Sequence, residues 1–117
     1  MDFTDRQPIY KQISDYFCNQ ILKKKWTPGD RVPSVREIAV QMEVNPNTAM
    51  RAFQILQDQD ILINKRGIGH FIADGAYQKT LELQRKEFIE NDLPGFFKKM
   101  KLLGFSCDEL EELYSEL

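Results

Sequence analysis

Two helix-start signals stand close together in this chain and constrain its fold more than any other feature. Ser34 and Glu37 have capping-box spacing: the serine hydroxyl takes the backbone N–H three residues on, and the glutamate reaches back to the serine N–H. Residues 45–51 read NPNTAMR. Asn45 suits an N-cap because its side-chain oxygen accepts an orphan amide, and Pro46 suits the first helical position, where a missing N–H costs nothing. The helix that starts at Ser34 must therefore end near Glu43-Val44. Ile38, Ala39 and Met42 give it a buried side, and Ala49, Ala52, Phe53 and Leu56 give one to the next helix. Asn47, Met50, Arg51 and Gln54 then point outward, at i, i+3, i+4 and i+7. Two short helices joined by a tight turn, the second with a polar outer face, describe a helix-turn-helix.

The flanks extend this unit. Ile9, Ile13, Phe17 and Ile21 form one apolar face, which predicts a helix over 8–25 ending in Lys23-Lys24-Lys25, favourable at the negative end of its dipole. WTPGDRVP stops it with a Pro-Gly turn signal. After Asp60, ILIN and HFIA are β-prone runs separated by Lys65-Arg66-Gly67-Ile68-Gly69, a hairpin with a basic tip. Beyond it, Tyr77, Leu81 and Phe88, then Phe96, Met100 and Leu103, keep helical spacing. Asn91-Asp92-Leu93-Pro94 should kink or break that helix. Gly104 suits a left-handed C-cap with Phe105 closing it, and Ser106 with Glu109 repeats the capping box. Leu110, Leu113 and Leu117 line a last helix. The expected fold class is mainly α with a small β-hairpin: a winged helix-turn-helix over residues 1–75 and a short helical dimerisation tail over 76–117.

Composition narrows the function classes. The chain has 117 residues and a net charge of −2. Residues 1–75 carry ten Lys/Arg against nine Asp/Glu, and residues 76–117 carry six against nine. Such a chain does not coat nucleic acid by bulk charge, so DNA binding would need a local patch. No apolar run approaches the roughly 18 residues of a membrane span. The N-terminus MDFTDRQP lacks a signal-peptide pattern. Two isolated cysteines, Cys18 and Cys107, and one histidine make neither a disulfide framework nor a metal-ligand spacing. A reducing, cytoplasmic setting without metal or cofactor is expected.

The run PGDRVPSVREIAVQMEVNPNTAMRAFQILQDQDILINKRGIGHFIAD resembles the DNA-binding domain of the GntR family of bacterial transcriptional regulators. The PGDRVPSVREIA run, the third-helix run and the G-x-G-x-F wing occur in order, and with the first helix the likeness covers about residues 8–74. The short tail is similar to the YtrA-like subgroup; larger members carry a ligand-binding domain there, for which 42 residues are too few. The resemblance implies a third helix in the DNA major groove, a wing reaching toward the minor groove, and a second helix contacting phosphates near its N-terminus. It implies DNA-binding roles for Ser34, Arg36, Asn45, Asn47, Thr48, Arg51, Lys65, Arg66 and Gly69. Pro46 and Met50 stand where many members have arginine, so that base code does not transfer, and His70 stands where threonine is commoner.

Each residue also has a plainer role. Ser34 and Asn45 are caps, Asn47 and Thr48 suit a solvated first turn, and Arg36 and Arg51 suit surface ion pairs. Lys65-Arg66 suits a charged turn, and the lysine run suits a helix end. Phe88, Phe96, Phe97, Met100, Leu103 and Phe105 could fold back on the chain or form a homodimer interface; the dimer is expected, because so short a helical tail buries little on its own. Two recognition helices would then read an inverted-repeat operator in double-stranded DNA, roughly 34 Å or a multiple apart. The rival from another class is a winged-helix protein-interaction module. No catalytic constellation or phosphate-cradling loop points to an enzyme. Operator sequence, the sign of regulation (a repressor is expected) and any small-molecule effector stay open.

Overall fold

The computed structural model describes Phe3 and residues 7–117; residues 1, 2 and 4–6 of the predicted first segment lie outside the described residues. The order is α1 (Ile9–Leu22), α2 (Val35–Met42), α3 (Pro46–Asp58), β1 (Leu62–Lys65), β2 (Gly69–Ile72), α4 (Ala76–Glu87), a π-turn (Phe88–Asp92), α5 (Leu93–Leu102) and α6 (Cys107–Ser115). The chain divides into two compact units, Met1–Glu82 and Leu83–Leu117. The division falls inside α4, beyond the 75/76 boundary read from sequence.

In the first unit, α1 and α2 pack on α3. Ile13, Phe17 and Ile21 of α1, Ile38 of α2, and Ala49, Ala52, Phe53 and Leu56 of α3 are buried together. Phe17 meets Phe53 edge-on at 5.1 Å between ring centroids. Trp26 seals the same cluster edge-on to Phe17 at 5.0 Å, as a core-flanking residue. Truncating Phe53 to alanine removes contacts worth about 3–5 kcal/mol. Ile9 departs from the predicted stripe and is exposed, so the buried face of α1 begins with Gln12 and Ile13.

Helix α1 ends earlier than predicted, at Leu22, so the lysine run lies past its end. Lys24 takes the left-handed conformation at φ 59°. The N–H of Lys25 donates to the Gln20 carbonyl at 2.9 Å, and that of Lys24 to the Ile21 carbonyl at 3.0 Å. This is a Schellman closure made without glycine, which is why the sequence did not announce it. The next turn is tied by Asp30, whose carboxylate accepts from the Thr27 N–H at 2.8 Å.

The hairpin pairs Leu62 with Ile72, Ile63 with Phe71, Asn64 with His70 and Lys65 with Gly69, antiparallel. Lys65 and Gly69 are therefore strand residues, and the turn is only Arg66-Gly67-Ile68, with Gly67 at φ 78°. Leu62 and Ile72 face the core. The segment before α2 joins the sheet: Arg31 bridges Phe71, and the Val32 N–H donates to the His70 carbonyl at 3.0 Å.

The predicted break at Asn91–Pro94 is a π-turn running straight into α5. The Leu93 N–H donates five residues back, to the Phe88 carbonyl. Widening the turn before Pro94 moves a carbonyl away from the pyrrolidine ring and absorbs its missing donor. Helix α5 closes at Gly104, φ 75°, with the Phe105 N–H donating to the Met100 carbonyl at 3.1 Å, and Ser106 with Glu109 forms a complete capping box. No residue from Leu83 to Leu117 is buried. Phe96, Cys107, Leu110, Leu113, Tyr114 and Leu117 line an open, mainly apolar groove of about 510 Å³ between α5 and α6.

Candidate nucleic-acid interface

The caps of α2 and α3 position the first group of candidate residues. The Ser34 hydroxyl accepts from the Glu37 N–H at 3.1 Å, and the Glu37 carboxylate accepts from the Ser34 N–H at 3.2 Å. Arg36 follows on the exposed first turn of α2. Glu43, left-handed at φ 54°, turns the chain between the two helices. Asn45 then caps α3, its Oδ1 accepting from the Asn47 N–H at 2.7 Å. Helix α3 buries Ala49, Ala52, Phe53 and Leu56 completely, which fixes Asn47, Met50, Arg51 and Gln54 on its exposed side. Among the described residues, the side chains of Arg36, Asn47, Thr48 and Arg66 make no hydrogen bond or ion pair. Their donors are free for an external acceptor, and the first-turn amides of α3 add the positive end of a helix dipole.

Arg51 is placed differently. Its guanidinium carbon lies 3.9 Å from the centroid of the Tyr10 ring, and its Nη2 donates to the Tyr10 hydroxyl at 3.3 Å. Tyr10 stands in the first turn of α1, so this contact joins residues 41 positions apart.

The wing carries the second basic group. Lys65 lays its ammonium over the Phe71 ring, 4.5 Å from the centroid. Gly69, beside it across the hairpin, has φ 146°, and a Cβ there would lie 2.8 Å from Arg31 Nε. Arg31 thus belongs to the same face as Lys65 and Phe71. His70 faces the other way: its ring meets Phe53 edge-on at 4.8 Å, and its Nε2 lies 3.3 Å from Gln57 Oε1 on α3. Burial pushes its pKa below the ordinary value of 6.5, so the ring is neutral at pH 7. It is a packing link between wing and α3. Sequence reasoning missed Tyr10, Arg31 and the His70–Gln57 contact. The sole hint was His70 standing in place of the commoner threonine.

In the second unit, the predicted interface residues Phe88, Phe96, Phe97, Leu103 and Phe105 are between 38% and 61% exposed, with Met100 half-buried. Phe96 and Phe97 touch edge-on at 5.9 Å. Among the described residues no helix is long and apolar enough to cross a membrane, and Cys18 and Cys107 are not joined in a disulfide.

The comparisons with known proteins agree with this layout. The family model for bacterial regulatory proteins of the gntR family matches residues 9–72, from α1 to the end of the wing. The HTH-type transcriptional repressor YtrA of Bacillus subtilis is 33% identical over 110 residues, which are 94% of this chain and 84% of YtrA. A GntR family transcriptional regulator from Listeria monocytogenes superimposes with a TM-score of 0.78 at 30% identity, over 98% of this chain and 99% of that one. The DNA-binding domain of AraR, solved in complex with its operator ORR3, matches with a TM-score of 0.57 at 26% identity, over 62% of this chain and 88% of that domain. Winged-helix architecture, a GntR-type DNA-binding domain and a tail of the YtrA-like kind therefore occur in one chain, and its relatives are regulators rather than enzymes. The chain belongs to the GntR family of bacterial transcriptional regulators.

Proposed function

We propose that this protein is a homodimeric, sequence-specific regulator that represses transcription in the cytoplasm by occupying an inverted-repeat operator. One observation carries the DNA-reading part: the exposed side of α3 and the first turn of α2 present Arg36, Asn47 and Thr48 with no partner of their own among the described residues. Asn can pair with adenine and Arg with guanine through two hydrogen bonds, and Thr anchors phosphate. Lys65, Arg66 and Arg31 supply positive charge at the wing, where an overall acidic chain otherwise has little to offer a phosphate backbone. The AraR complex with operator DNA supports the same partner for this chain, and the name of YtrA supports repression.

The dimer reading rests on the second unit. Its 35 residues bury none of their own side chains, yet expose five phenylalanines and leucines on α5 and the turn after it. A second copy covering Phe88, Phe96, Phe97, Met100, Leu103 and Phe105 would supply the missing core.

The test is selection of bound duplexes from a random library by the purified protein, beside Arg51→Ala. An enriched inverted repeat, with one position relaxed in the variant, is expected. Weak binding that ignores sequence and falls steeply with salt would replace operator recognition by non-specific attraction, and no duplex binding at low salt would leave a protein-interaction module.

A further inference from the structure

The first helix of a winged domain is ordinarily counted as scaffold. Here it touches the reading face. The Arg51 guanidinium stacks on Tyr10 at 3.9 Å and donates to its hydroxyl at 3.3 Å. Tyr10 is itself held, half-buried against the core. Arg51 stays exposed despite both contacts.

We propose that Tyr10 is a positioning residue for base recognition: it fixes the orientation of Arg51 on the outer face of α3 before DNA arrives. This rests on the operator-binding reading above. A free arginine samples many rotamers and must lose them on contact. Stacking on a ring anchored in the core removes most of that freedom beforehand, which is how preorganisation raises affinity without adding a contact. The geometry leaves the arginine functional, because the guanidinium has five N–H donors and the phenol accepts from one nitrogen. The rest of the fork remains for a guanine edge or a phosphate. At 3.3 Å the hydrogen bond is long and exposed, so the stack is the larger part; a cation over an exposed aromatic face changes an equilibrium by about two- to fivefold.

Operator affinity is then measured for wild type, Tyr10→Phe, Tyr10→Leu, Arg51→Ala and the Tyr10→Leu/Arg51→Ala double variant. Each is assayed on the selected duplex and on its single-base variants. The expected result is a loss of about two- to fivefold in Tyr10→Leu. That loss should be confined to the base pair whose preference Arg51→Ala also relaxes. Tyr10→Phe should restore it, and the double variant should be no worse than Arg51→Ala. In the free protein, the Arg51 side-chain protons should be shifted upfield by the ring, in wild type and Tyr10→Phe but not in Tyr10→Leu. That spectrum also reports whether each variant is folded.

An equal loss at every base pair would mean that Tyr10 acts through stability or a phosphate contact and not through base recognition, and would overturn the inference. Tighter binding by Tyr10→Leu would overturn it too, since the stack would then hold Arg51 away from DNA. So would an Arg51 spectrum without ring shifts in wild type. An enriched motif with any of these results sinks this inference alone, whereas no enriched motif sinks operator recognition as well.

Discussion

Replacing Gly69 by alanine separates two reasons for having a glycine in the wing. Its φ of 146° lies where an L side chain meets its own backbone, and holding alanine there costs about 1–3 kcal/mol. A Cβ would also lie 2.8 Å from Arg31 Nε and 3.4 Å from its Cζ and Nη2. The second obstacle is small, because those atoms end a flexible, exposed side chain that can swing into solvent. Backbone strain should dominate. In urea unfolding followed by circular dichroism, Gly69→Ala is expected to lose about 1–3 kcal/mol, from the strain alone. Arg31→Ala should be nearly neutral, and adding it to Gly69→Ala should recover no more than about 0.5 kcal/mol, the size of an ordinary surface effect. If the double variant returned to wild-type stability, the arginine contact would be the reason for the glycine. If Gly69→Ala were itself neutral, the hairpin would not need its positive φ. The first result would refute the strain argument in favour of the Arg31 contact, and the second would leave Gly69 to be explained by DNA contact.

Three further outcomes follow from the same geometry. Asn45→Ala removes the cap of α3 and should cost about 0.5–2 kcal/mol in thermal unfolding, while Asn45→Asp, which keeps an acceptor, should cost much less. His70 is held neutral by burial, so the unfolded chain takes up its proton first; stability should fall as pH drops below about 6.5, and His70→Gln should flatten that part of the pH profile. Phe96→Asp with Phe97→Asp places two charges on the apolar face of α5, and sedimentation should then find a monomer whose operator affinity is lower by about 100-fold or more, the loss of a linked second half-site.

Local chemistry made much of the fold legible. A capping box and an Asn-Pro start act within three or four residues, so Ser34, Glu37 and Asn45 could be placed from sequence, and the structure reproduces each bond. The same holds for Gly104 and Ser106. Lys24 broke the pattern because the stop was read from the Pro-Gly turn of WTPGDRVP, whereas α1 ends at Leu22 with a lysine in the left-handed region. The hairpin turn was drawn too long because Lys65 and Gly69 carry turn-like identities in paired positions. Arg31 lay in a stretch dominated by Pro, Gly and Asp, and its pairing with Phe71 is non-local. Tyr10 and Arg51 are farther apart still. Periodicity places each on an outward or half-buried side of its helix, but no pattern within one helix says which side of another it will meet.

The packing distributes order unevenly, and this bears on how such a protein could be regulated. In the first unit, α3 is held at three contacts: by α1 both through Phe17 against Phe53 and through Tyr10 against Arg51, and by the wing through His70 and Gln57. A reading head so constrained has little freedom left to switch internally, because packed cores do not deform continuously. The second unit is the opposite case. Helix α6 opens on a capping box and α5 closes at Gly104, yet isolated helices of nine or ten residues are marginal without a packed face, and neither α5 nor α6 buries a residue. On the dimer reading, tail order and self-association are therefore one equilibrium. Operator affinity then depends on protein concentration through that equilibrium, since only the linked pair gains the second half-site. Anything that occupies the open groove between α5 and α6 would act on DNA by changing how readily two heads are joined, and would leave the base preference of each head untouched.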